Sequence, residues 1–367
     1  MTHSATLLGM PAELFDLIVE STDRMDLMRL RLVSRECAAK VLSTFEEEHI
    51  QLREVKLATE SSFANAVKIV EHPTLGAAIR ELRLVDDAAS NPAGFDFDDE
   101  EDPEKGIADL RRAEAQYDAQ QLVQTTGRDR RLLADLLAKC QRIGVRKLSF
   151  WSWNSGGWDS NGNWHTNVRD DWDMWRAGDD HCFMTVMLAI ISSGASFDTF
   201  TMSAGQGAGI SICRYGADIH RGSICTAALS HFEALDLVLC ASEKDDNPGK
   251  EAALEFLTMM TKLKIRSLEV IPLSYGYDDD FIRLEALTNQ DFPAMESLEL
   301  DEFDPDWEDL VEFLGRQKNL RTLRLRGGRL YFPPRLGDSA KSGLAKVTNI
   351  PNVTEDNVKY EEMSDME

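Results

Sequence analysis

The chain lacks any run of roughly 18–20 apolar residues, the length a helix needs to cross a bilayer. It also lacks a basic stretch followed by an apolar one near Met1; Leu7, Leu8 and Met10 are too few to form the core of a secretory leader. Both absences predict a cytoplasmic or nuclear protein with no membrane partner. Cysteine is scarce and scattered: six residues, at 37, 140, 182, 213, 225 and 240, with no Cys-x-x-Cys pair. That pattern predicts reduced, mostly buried thiols and no structural metal. Cations are outnumbered, with 40 Lys and Arg against 64 Asp and Glu, and the formal net charge is −24. Sequence-independent binding to nucleic acid relies on neutralising phosphates, so this balance argues against DNA or RNA as a partner.

Catalytic signatures are missing as well. Gly205-Gln206-Gly207-Ala208-Gly209 does not have the spacing of a dinucleotide fingerprint or a P-loop. Asp159-Ser160-Asn161-Gly162-Asn163 places its glycine too early for a calcium loop and has no terminal Glu. His165, His181 and Cys182 do not stand at zinc-ligand spacing. Asp179-Asp180-His181 reads as a helix start, where acids favour the first turn. No Gly-x-Ser-x-Gly elbow occurs, and carboxylates are too common for one acid–base pair to be nominated. The expectation is a non-catalytic protein with no catalytic residue, no metal and no cofactor.

What is present is a core and a rhythm. Hydrophobic residues make up 43% of the chain, a globular proportion. The pattern Leu-x-Leu, or a close variant, recurs at Glu81-Leu82-Arg83-Leu84, Lys147-Leu148-Ser149-Phe150 and Ala234-Leu235-Asp236-Leu237. It returns at Ser267-Leu268-Glu269-Val270, Ser297-Leu298-Glu299-Leu300 and Thr322-Leu323-Arg324-Leu325. Residues 52–57 and 198–202 read as further strands, and 252–263 and 307–314 as helices between strands. A strand and a helix repeated at such intervals is the leucine-rich-repeat signature. It predicts an α/β solenoid over residues 51–350, whose units bury their apolar faces by stacking. The rival architecture is an ordinary α/β domain on a parallel sheet; a doubly wound version usually carries a glycine-rich phosphate turn after an early strand, absent here. Two inserts interrupt the array: an acidic one at 86–105, and one at 151–175 holding six of the seven tryptophans. Residues 351–367 read as an acidic, disordered tail.

Residues 1–50 form a separate helical module. Pro11 suits a first helical position; Leu14, Leu17 and Ile18 follow at helical spacing. Asp26 is placed to cap a second helix carrying Leu27 and Leu30, and Ser34 a third with Cys37, Val41, Leu42 and Phe45 on one face. Three short helices cannot bury all their apolar groups. Met10, Pro11, Leu14, Leu27 and Val33 are expected to stay partly bare and to seek a partner. The run Met10-Pro11-Ala12-Glu13-Leu14, then Ile18, Asp26-Leu27 and Leu30-Arg31-Leu32-Val33-Ser34-Arg35 resembles the F-box motif. His72-Pro73-Thr74-Leu75, leading into Ile79-Arg80-Glu81-Leu82, resembles the region after the F-box in many fungal F-box proteins. The resemblance implies docking onto a Skp-family adaptor and, through it, a cullin. Met10, Pro11, Leu14, Ile18, Leu27, Leu30 and Val33 would then supply apolar groups, with Glu13 and Arg35 as polar companions. Met10 stands where the family usually has Leu, and Cys37 where it often has an aromatic residue.

An unidentified protein target would be held by the repeat body. The middle residues of the strands, Arg83, Ser149, Asp236, Glu269, Glu299 and Arg324, are expected to align on the face away from the core. Trp151, Trp153 and Trp158 are aromatic candidates for the same role, since clustered tryptophans are typical of binding hot spots. The implied function is that of a substrate receptor in a Skp–cullin–F-box ubiquitin ligase; the alternatives are a scaffold with no role in degradation, and an enzyme using the tryptophans as a sugar platform.

Overall fold

A computed structural model of the protein describes residues 10–57, 59–86, 103–152, 175–204, 210–212, 215, 218–241, 248–272, 285–301, 303–332, 344 and 348–362. The chain opens with three helices, α1 (Ala12–Glu20), α2 (Arg24–Val33) and α3 (Arg35–His49). The carbonyl of Pro11 accepts from the backbone N–H groups of Leu14 and Phe15, so α1 begins just after the proline. Asp23, not Asp26, caps α2: its carboxylate accepts from the Asp26 N–H at 2.9 Å, leaving Asp26 to pair with Arg29. Ser34 caps α3 by accepting from the Cys37 N–H at 3.0 Å. Phe15, Val19, Leu27, Val41 and Phe45 are buried in the core these helices share.

The body alternates strands and helices: β1 (Leu52–Lys56), α4 (Glu60–Val70), α5 (Pro73–Ala78), β2 (Glu81–Asp86), α6 (Pro103–Thr125), α7 (Arg128–Arg142), β3 (Lys147–Ser152), α8 (Trp175–Ser193) and β4 (Phe197–Ala204). After the short β5 (Ile210–Ser211) come α9 (Ile219–Leu229), β6 (Phe232–Ala241), α10 (Pro248–Met260), β7 (Ile265–Pro272), α11 (Glu285–Thr288) and β8 (Ser297–Asp301). The last elements are α12 (Trp307–Arg316), β9 (Thr322–Arg326), β10 (Arg329–Phe332), β11 (Asn352–Asp356) and β12 (Lys359–Glu362). Nine strands lie side by side in chain order, β1-β2-β3-β4-β6-β7-β8-β9-β11, and every pairing among them is parallel. The α/β class expected from the sequence is therefore present as one large parallel sheet.

Period-2 alternation sends Leu82 and Leu84, Leu148 and Phe150, Leu268 and Val270, Leu298 and Leu300, and Leu323 and Leu325 to one face. There they join Phe63, Leu133, Leu136, Val186, Ile190 and Phe256 from the helices in one continuous core. Neighbouring units are also joined where strands begin. The carbonyl of Gln51 accepts from the N–H groups of Arg80 and Glu81, that of Arg80 from Arg146 and Lys147, and that of Arg146 from Asp198 and Thr199. The relay returns in the second half: Arg266 to Glu296, Glu296 to Arg321 and Thr322, Arg321 to Asn352.

Two expectations about order need revising. Residues 352–362 do not form a featureless tail. Strand β11 pairs with β9, and β12 pairs with β10 in a second, two-stranded parallel sheet. Val353, Val358 and Tyr360 pack on the core, which outweighs the acidic composition. Asp86, counted with the acidic insert, ends β2 and is buried; residues 87–102 lie outside the described residues.

Candidate functional site

Two surfaces gather the residues expected to bind partners. The first belongs to α1 and α2. Phe15 and Val19 turn one side of α1 inward, so Leu14 and Leu17, three residues apart, turn outward. Leu14 is 50% exposed and Leu17 61%. On α2, Leu27 faces the core, while Leu32 is 86% exposed and Val33 71%. Met10, Pro11, Met28 and Arg35 are also exposed, and Ile18 and Leu30 are half-buried. Leu27 is a correction: expected to be partly bare, it is fully buried, because α2 packs against α3 and Leu27 lies in the core they share. The side chain of Glu13 lies outside the described residues. Two cations pack on core aromatics of this module: Arg31 stacks over Phe45 at 4.1 Å from the ring centroid, and Lys40 over Phe15 at 5.3 Å.

The second surface is the sheet face away from the helical core. In its first half, Arg83 registers with Ser149, Ser149 with Thr201 and Thr201 with Asp236. Arg83 lies over Trp151 at 4.1 Å from the ring centroid and 3.8 Å from Glu81. Lys147 reaches the same carboxylate at 3.1 Å. Ser149 was expected to face a partner, yet it is 1% exposed. Its hydroxyl donates to Glu81 at 2.7 Å, and the longer side chains of the neighbouring strands close over it. Trp153 and Trp158 lie outside the described residues.

The single row expected from the sequence is broken at β7. A bulge between Leu235/Asp236 and their partners leaves Arg266 as the extra residue, so Asp236 registers with Ser267 while Glu269 registers with Val238. Arg266 uses the bulge to grip Asp236 with two hydrogen bonds, at 3.0 and 2.5 Å. Beyond the bulge, Glu269, Glu299 and Arg324 align through direct pairing. Arg326 reaches Glu299 at 2.5 Å and Glu269 at 3.0 Å; Arg324 lies 3.8 Å from Glu299 and 3.7 Å from Asp356. Arg324 and Arg326 are thus enclosed by carboxylates. Desolvation, and then the Glu299 charge, push the Glu269 carboxyl above its ordinary pKa; Arg326 opposes this only in part. The face is not polar throughout, since Val238, Cys240 and Ile271 form a small buried apolar cluster upon it.

A third grouping was not visible in the sequence. His181 on α8 lies 2.8 Å from the buried carboxylate of Asp129 on α7, and Thr185 approaches both. These residues stand 52 apart in the chain, so only the packing of α7 on α8 joins them. The contact ties two helices, and its carboxylate also accepts from the Arg130 N–H.

Among the described residues, no group of three or more His, Cys, Asp or Glu could hold a metal ion, and no helix is long and apolar enough to cross a membrane. No protein-family model matches the chain, and no curated protein or solved structure matches it either.

Proposed function

We propose that the protein is a substrate-receptor subunit of a Skp–cullin–F-box ubiquitin ligase, with α1–α3 as the F-box and the sheet-bearing body as an irregular leucine-rich-repeat solenoid. The observation that carries this reading is the apolar surface of α1 and α2. Leu14, Leu17, Leu32 and Val33 are all at least half exposed, in the module whose sequence resembles an adaptor-binding motif. Covering such a side chain gains about 1.5–3 kcal/mol if its burial is complete. A partner interface explains that surface better than a structural cap, which would turn it inward.

The body supports the second half of the reading. Its strands follow chain order, and one sheet face carries mostly polar side chains outside the small cluster of Val238, Cys240 and Ile271, as in a solenoid that binds through stacked strands. The mechanism is a bridge without chemistry of its own: the adaptor is held at one end and the target along the sheet, which raises the target's effective concentration near the ubiquitin-charged enzyme.

The test is co-purification of the tagged protein with its Skp-family adaptor and cullin, comparing wild type with Leu14→Asp/Val33→Asp. Both positions are exposed, so the double variant should melt like wild type while losing the adaptor. Wild type that captures neither adaptor nor cullin would overturn the reading. Capture with unchanged half-lives of bound proteins after removal of the receptor would instead favour a scaffold with no role in degradation.

A further inference from the structure

The arginines along the outer sheet face are served unequally. Arg266 makes two hydrogen bonds to Asp236, and Arg326 makes one to Glu269 at 3.0 Å. Arg324 makes none among the described residues, but its side chain is 49% exposed and water can meet its donors. Arg83 has neither recourse. Its side chain is only 22% exposed, and its Nε is closed off from solvent without an acceptor. Among the described residues its guanidinium makes no hydrogen bond at all. Polar groups so placed nearly always have a partner, because unmet donors carry a desolvation cost.

The neighbours show why Arg83 is left over. Glu81 is 3.8 Å away, beyond hydrogen-bond reach, and both its oxygens are engaged elsewhere. One accepts from the Ser149 hydroxyl at 2.7 Å, and the other meets Lys147 at 3.1 Å. Glu54, exposed on β1, registers with Arg83 but forms no ion pair with it. Trp151, two residues beyond Ser149 on β3, is a diagonal neighbour. Its ring lies 4.1 Å from the guanidinium carbon. A cation over a ring uses its charge there and none of its in-plane donors.

We propose that Arg83, held on Trp151, takes one carboxylate of the target protein, an Asp or Glu side chain laid across β2 and β3. The inference rests on the receptor reading above and names what that receptor recognises. The guanidinium fork matches a carboxylate with two parallel hydrogen bonds. Only this one cation is short of an acceptor, since Lys147 is committed to Glu81. A monoanion therefore fits better than a phosphate, whose charge of about −2 meets roughly twice the repulsion from Glu81. The stack also fixes the side chain beforehand, so little rotamer freedom is lost on binding.

The experiment uses the full chain without adaptor and two pools of short random peptides, amidated at the C-terminus. One pool has Asp or Glu at its central position, the other Asn or Gln. Peptides retained by the protein are read by mass spectrometry. Wild type should favour the acidic pool by about tenfold or more, the discrimination expected of a hydrogen-bonded charge pair. Arg83→Gln should erase that preference. Lys318→Gln, an exposed charge change after α12, should preserve it. If Arg83→Gln lowers the melting temperature, Arg83→Lys takes its place; it keeps the charge, loses the fork, and should reduce the preference several-fold. Pools retained equally or not at all by wild type would overturn the proposal, as would a preference unchanged in the Arg83 variants. Tighter retention of a pool with central phosphoserine would overturn the choice of a carboxylate. Adaptor capture without carboxylate selection would sink this inference alone, whereas carboxylate selection without adaptor capture would sink the ligase reading alone.

Discussion

At the scale of single residues, burial decides reactivity. Cys37, Cys140, Cys182, Cys225 and Cys240 are buried thiols outside any disulfide. Desolvation pushes the thiols of Cys140 and Cys240 up to about 12. The thiolate is the nucleophile, so these two should resist alkylation at pH 8 in the native protein and react fully in denaturant, as site-resolved mass spectrometry would read. Rapid native labelling of either would mean that its strand or helix opens locally. Glu269 allows a test of the opposite kind. Its folded-state pKa is raised, so its proton is held more tightly in the folded chain than in the unfolded one. This contribution favours folding in acid and is lost as pH rises from the ordinary carboxylate value through the raised one. Glu269→Gln should therefore raise the melting temperature slightly at pH 7 and change it less near pH 4. A variant less stable than wild type at pH 7 would show that the bond to Arg326 outweighs desolvation.

At the scale of elements, backbone contact is the stricter constraint. Gly328, at φ +86°, presses against the backbone of Phe303, and an added Cβ would collide with the Phe303 carbonyl oxygen. Gly328→Ala should cost several kcal/mol, about 2–4, from strain and displacement together, measured by chemical denaturation. Leu27→Ala should cost about 2–5 kcal/mol as a core truncation, whereas Leu14→Ala should stay within about 0.5 kcal/mol; equal effects at the two positions would contradict the assigned faces of α1 and α2. The strands around Leu82, Leu148, Leu235, Leu268, Leu298 and Leu323 were legible because leucine alternates there with polar residues, and period 2 is unambiguous in so regular a setting. Strand β11 was not: Asn352–Asp356 turns one apolar residue, Val353, toward the core, and pairing with β9 supplies the rest of its order. Helix α6 escaped notice because it has no apolar stripe to read. The site residues divide along the same line. Exposure of Leu14 and Val33 followed from the small size of the three-helix module, but which apolar groups it does bury, Leu27 among them, depends on how α2 packs against α3. Asp236 and Glu269 stand out of register because Asp236 pairs with Ser267 and Val238 with Glu269, a pairing that no local pattern marks.

At the scale of the whole molecule, the end of the sheet carries the clearest prediction. Residues 352–362 add a ninth strand in line and complete the small sheet with β10. A chain ending at residue 351 should lose the contacts of Val353, Val358 and Tyr360 and melt several degrees lower; a disordered tail would leave the melting temperature unchanged. Tyr360 reinforces this end, because the hydroxyl of its half-buried side chain donates to Glu355 at 2.5 Å. The phenol is pushed above its ordinary pKa by burial and then by that bond, so it remains a donor across the neutral range.

The relay of carbonyls at the strand starts reaches beyond stability. Gln51, Arg80, Arg146, Arg266, Glu296 and Arg321 each receive the strand that follows through a main-chain oxygen, which every amino acid possesses. The rule for adding a unit is therefore written in the backbone and asks nothing of side-chain identity. Length and surface can diverge separately: at these junctions the socket is main chain, so the outward residues of the strands can vary without disturbing it. Evolution of such a chain proceeds by editing its vocabulary while the grammar stays fixed.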